Sequence, residues 1–224
     1  MPTLTRLLFR PAWPVVLLVL LSLAAAPAQG QIDRWGVKAG VTAMTAGGEG
    51  LVDDGIGRTT GFLVGGTTTT GLVGPVSLRA EFLFLQKGWT ASFRTLEGEM
   101  RNSTVTLDYL ELPVLADVAV GSVGGITGRL HAGPTVGVRV RSGVDPGPEG
   151  GGADLNETTN RTLVGLALGG SASGSIGAQA LQLDVRYQLS LTNVNDRQLR
   201  TSDGQTTTPT IRLRGLSVAV GVVF

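Results

Sequence analysis

Hydrophobic residues recur along this chain with a period of two, the spacing at which successive side chains of an extended strand point to opposite faces. In residues 35–43 the odd positions Trp35, Val37, Ala39, Val41 and Ala43 are apolar, whereas Gly36, Lys38, Gly40 and Thr42 are small or polar. Residues 61–70 repeat the pattern weakly, with Phe62 and Val64 on one face and a run of threonines behind them. In 76–87, Val76, Leu78, Ala80, Phe82 and Phe84 oppose Ser77, Arg79, Glu81 and Lys87. The fourth segment, 104–119, carries Leu110, Leu112, Val114, Ala116 and Val118 on one face. Upstream its apolar phase shifts to Val105, Leu107 and Tyr109, which predicts a bulge near Tyr109 or emergence from an apolar layer. In 126–141, Ile126, Leu130, Ala132, Val136, Val138 and Val140 alternate with Thr127, Arg129, His131, Thr135, Arg139 and Arg141. Three more segments, 163–173, 181–192 and 211–224, complete eight predicted strands.

The connections between them are unequal. Those after strands one, three, five and seven are long and polar (45–58, 89–103, 142–160 and 193–210). Those after strands two, four and six are short and glycine-rich (71–75, 121–125 and 174–178). Long loops at one end and tight turns at the other, on strands of about ten residues, are the pattern of membrane-spanning barrels. No water reaches the backbone in a hydrocarbon layer, so such a sheet must close and the eighth strand must pair with the first. The sequence therefore predicts an all-β fold, an eight-stranded antiparallel up-and-down transmembrane barrel. An even strand count puts both termini on the periplasmic side of a bacterial outer membrane.

The N-terminus has another character. Arg6 and Arg10 precede an apolar run over 15–26, and Ala26-Pro27-Ala28 follows, the order of a secretory signal peptide. Cleavage is expected after Ala28, dividing the chain into a signal at 1–28 and a barrel domain at 29–224. The apolar run is shorter than the roughly 20 residues a spanning helix needs. Removing it takes away two arginines and no acid, leaving 16 Lys/Arg against 17 Asp/Glu. That balance gives no electrostatic case for nucleic acid. The absence of cysteine excludes a disulfide framework, a thiol nucleophile, a cysteine zinc site and a lipid-modified N-terminal cysteine.

Several short motifs are similar to a known family. They are Gly36-Val37-Lys38-Ala39-Gly40, 81–88 (Glu-Phe-Leu-Phe-Leu-Gln-Lys-Gly), Tyr109-Leu110-Glu111-Leu112-Pro113, Ala132-Gly133-Pro134 and Asp184-Val185-Arg186-Tyr187, with the terminal strand ending at Phe224. Together they resemble the PorT-like outer-membrane β-barrel domain, a porin-family group of Bacteroidetes-type bacteria. The resemblance spans the expected mature chain. It implies a barrel in the outer membrane and no single activity. Phe224 resembles the terminal aromatic by which the barrel-assembly machinery recognises its clients.

The polar faces define the candidate chemistry. Lys38, Arg79, Glu81, Glu111, Asp117, Arg129, His131, Arg139, Arg141, Asp184 and Arg186 are expected in the lumen. Eight strands enclose a space that side chains just fill. A neutralising ion-pair network is therefore expected there, not an open pore. His131 is the only histidine, and a lipid-modifying hydrolase that resembles lipid A deacylases would pair it with a serine and a carboxylate. No serine is fixed beside it by spacing, so the main reading is non-enzymatic: a structural or interaction role through surface loops. Trp35, Trp89, Tyr187 and Phe224 are expected in an interfacial girdle. Arg212 and Arg214 lie on the outward face at the top of strand eight, either in water or against lipopolysaccharide phosphates. Asp145, Glu149, Asp154 and Glu157 lack the ordered spacing of a calcium loop, and no metal or cofactor is expected. Expected partners are outer-membrane lipid and lipopolysaccharide, the assembly machinery, and a surface or secretion-system protein.

Overall fold

The computed structural model describes residues 33–48, 55–94, 100–145, 160–195, 199–200, 206–207 and 210–224. The expected signal segment at 1–28 and the acidic residues Glu149, Asp154 and Glu157 lie outside them. Eight strands form the wall: β1 (Arg34–Gly47), β2 (Ile56–Val73), β3 (Val76–Arg94), β4 (Met100–Val123), β5 (Ile126–Asp145), β6 (Thr162–Ile176), β7 (Gln179–Ser190) and β10 (Arg212–Val223). Between the last two, β8 (Leu199–Arg200) and β9 (Thr206–Thr207) make a separate two-stranded ladder. The wall closes in the order β1-β10-β7-β6-β5-β4-β3-β2, so each strand pairs with its neighbours in sequence and β10 returns to β1. The seam runs without a register break from Gly36↔Val223 to Gly47↔Arg212. Trp35 and Phe224 extend it with reciprocal backbone hydrogen bonds and stack their rings at 4.5 Å.

The short connections are tighter than the sequence suggests. Only residues 74–75, 124–125 and 177–178 stand outside the strands. Gly124 and Gly125 both have positive φ (58° and 82°), the requirement of a two-residue turn whose twist matches the flanking strands. At the other end the strands run past their predicted limits, β4 reaching 24 residues and β3 19. Polar residues such as Asn102 and Ser103 read as loop because they leave the apolar layer, yet their backbones stay paired with β3.

The outer wall is apolar around the circumference. Val37, Val41, Phe62, Val64, Phe82, Leu112, Leu130, Leu168, Leu183, Val185, Val218 and Val220 all stand exposed on it. Nearly all the buried residues face inward, so the core of this protein is the barrel interior.

Candidate functional site

The interior is built in two tiers. Towards the turns it is ionic. Lys38 on β1 donates to Glu81 on β3 at 2.8 Å, and Arg186 on β7 grips the same carboxylate with two bonds of 2.7 and 2.9 Å. Arg79 donates to Asp184 across the lumen at 3.0 Å and also pairs with Asp117, which accepts from Arg129 at 2.7 Å. Lys87 reaches Glu111 at 2.6 Å, and Gln188 donates to the other oxygen of that carboxylate at 3.0 Å. All four carboxylates are essentially sealed from solvent. Each is held by at least one cation, the condition on which buried charge survives.

Towards the long connections the interior turns mainly apolar, although buried Lys87 and Arg139 are rooted there, level with Leu107 and Tyr109. Leu63, Leu83, Leu85, Trp89, Val105, Leu107, Tyr109, Leu163 and Leu213 form a buried cluster completed by Val194. Val194 comes from the segment after β7. Its amide donates to the Ile211 carbonyl, its carbonyl accepts from Asn160, and the Asn193 side chain receives the amides of Asn195 and Ile211. The chain is thus stitched across the mouth and plants one valine in the core.

His131 sits in the ionic tier, its side chain fully buried, with Nε2 3.7 Å from Asp184 Oδ2. Neither ring nitrogen has a hydrogen-bond partner among the described residues. The ring fits because its cross-strand neighbour is Gly169, where a Cβ would stand 2.6 Å from Nε2.

The sequence-predicted residues therefore divide. Lys38, Arg79, Glu81, Glu111, Asp117, Arg129, His131, Arg139, Asp184 and Arg186 face the interior. Arg141 does not. Asp108 pairs with Arg141 but the next residue, Tyr109, pairs with Arg139, so β5 carries one extra residue, Val140. This bulge inverts the alternation, leaving Ser142 buried and Arg141 exposed on the outer wall. β4 itself has no bulge near Tyr109 and no change of phase: Val105, Leu107 and Tyr109 are buried in step with Glu111, and the irregularity lies across the ladder, in β5. What changes there is the chemistry of the interior.

Trp89 also departs from expectation. It is buried in the apolar tier, not on the outer girdle, because it keeps the inward phase of Arg79, Glu81 and Lys87. Trp35, Tyr187 and Phe224 are exposed on the outer wall. Arg212 and Arg214 also face outward, with Arg214 laid over Gly47. Lys87, Gln188 and Ser171 belong to the ionic network and are legible in the sequence only as members of polar faces.

A closed eight-stranded barrel with an apolar outer wall and a filled polar interior is a membrane-spanning barrel of the outer-membrane type. The family model described as "Outer membrane protein beta-barrel domain" matches residues 28–196, and the chain belongs to that family of the bacterial outer membrane. Solved structures with a similar fold include Neisserial surface protein A (16% identity, TM-score 0.45, 84% of this chain and 96% of that one). Ail of Yersinia pestis is similar at 10% identity (TM-score 0.44, 87% and 100%), and OprG of Pseudomonas aeruginosa at 9% (TM-score 0.49, 87% and 97%). A search of curated proteins found no match.

Proposed function

We propose that this chain is a non-conducting, non-enzymatic outer-membrane barrel that acts through its outer wall and surface loops. The observation that carries this reading is the two-tier interior. A permeant ion would have to break the Glu81 and Asp117 pairings and then cross an apolar layer closed by Val194. His131 has a carboxylate near it but, among the described residues, no hydrogen-bonded hydroxyl to activate, which favours a structural role over the hydrolase reading.

In this reading residues 1–28 are a cleaved secretory signal. The tight turns and both termini face the periplasm, and the long connections face outside to meet a surface or secretion-system protein. Phe224 presents the terminal strand to the assembly machinery, and Arg212 and Arg214 meet lipopolysaccharide phosphates. The motif resemblance to the PorT-like, porin-family group of Bacteroidetes-type bacteria fits the same reading.

In planar lipid bilayers the purified protein is expected to give no discrete channel steps. His131→Ala is expected to leave the acylation pattern of lipid A unchanged in cells overexpressing the barrel. Stable unitary openings would overturn the non-conducting reading, and a His131-dependent change in acylation would revive the hydrolase.

A further inference from the structure

The bulge that turns Arg141 outward also builds a site. Gln86, Asp108 and Arg141 are in register with one another on β3, β4 and β5. They stand on the outer wall one step above the paired row Phe84, Leu110 and Val138, with the bulged Val140 between, where the surface changes from apolar to polar. With Thr106, Gly143 and Asp145 they line a groove of about 270 Å³. Asp108 forms part of the floor: it faces out of the barrel yet is only 7% exposed, and it accepts a hydrogen bond from Gln86 Nε2 at 3.1 Å. Arg141, its cross-strand partner, is exposed and makes no ion pair with it.

We propose that this groove binds the headgroup of a phosphorylated glycolipid. Arg141 takes the phosphate, for which its planar fork is suited. Asp108, with the amide oxygen of Gln86 and the hydroxyl of Thr106, accepts from sugar hydroxyls. The acyl chains run down the wall over Phe84, Leu110 and Val140. The Asp108 carboxylate decides against a bare anion, because it repels a ligand that brings no donors. The breadth of the groove, with polar groups contributed by three strands, suits a sugar ring better than a single ammonium group. The source is the outer leaflet, which rests on the orientation proposed above; binding in detergent does not depend on that orientation, so the two ideas fail separately.

The test is native mass spectrometry of the detergent-solubilised protein titrated with bisphosphorylated lipid A. It is done in an Arg212→Ala/Arg214→Ala background, so that the opposite wall does not contribute. Each variant is first shown to keep its boiling-dependent electrophoretic shift. A one-to-one adduct is expected, weakened at least roughly tenfold by Arg141→Ala and several-fold by Asp108→Asn. Phosphatidylethanolamine and phosphatidylglycerol are expected to bind more weakly than lipid A. Equal binding by the parent and Arg141→Ala, or equal binding of either phospholipid, would overturn the proposal.

Discussion

Replacing Glu81 with Gln is expected to destabilise the barrel by about 3–5 kcal/mol, the usual cost of breaking a buried ion pair from one side. Glu81 is the shared partner of Lys38 and Arg186, both of which are buried. The amide keeps the size and some hydrogen bonding, so the loss reports the charge. Two cations are then left side by side in a lumen packed with side chains, both of them buried. Asp184 is the nearest relief: it lies 3.8 Å from Lys38 and 3.4 Å from Arg186, but it already serves Arg79 at 3.0 Å. Denaturant unfolding in micelles measures the effect through its midpoint and slope. A loss below about 1 kcal/mol would mean that water enters the ionic tier freely, and that the lumen is less closed than the geometry indicates.

The second large effect is expected at the seam. Gly40→Val should abolish the compact, boiling-sensitive form of the protein, because a side chain there meets backbone. Gly40 pairs with Ala219, and a Cβ at 40 would stand 2.5 Å from the Ala219 Cα and run into the Val218 carbonyl oxygen. Neither atom can rotate away. The only relief is to part β1 from β10, which leaves a row of unpaired backbone groups in lipid at several kcal/mol each. Gly66→Ala is the matched control, since the nearest atom to a Cβ at 66 is the Gly36 carbonyl oxygen at 3.7 Å. A normal electrophoretic shift for Gly40→Val would show that β1 and β10 do not meet this closely.

Most of the wall is legible in the sequence, because lipid on one side and packed side chains on the other force strict alternation. Val218 and Val220 point outward and Ser217 and Ala219 inward, as the pattern requires. The departures have local causes. Arg141 follows Val138 and Val140 in perfect phase, and nothing in its residue type announces that the strand has gained a residue. Residue type points Trp89 outward, as an aromatic at a strand end, although counting from Lys87 places it inside. The apolar tier is hidden for a related reason. Leu83 and Leu85 interrupt a charged face, and without knowledge of what lies opposite, two leucines in the lumen look like noise. Contacts between strands far apart in sequence, such as Glu81 with Arg186, leave no trace in local pattern at all.

That last property bears on how the barrel comes into being. The pairs Arg79–Asp184 and Glu81–Arg186 each join residues 105 positions apart. Neither pair is on adjacent strands; both reach across the lumen and exist only when the wall has curled shut. A half-built sheet would hold these charges apart and pay for them in full. Intermediates with some hairpins formed are therefore poor resting places, and assembly should be slow and cooperative, as expected when the rewarding contacts are the most distant ones. The ion pairs that fill the lumen thus act as a latch, engaging only once the last strand has found the first.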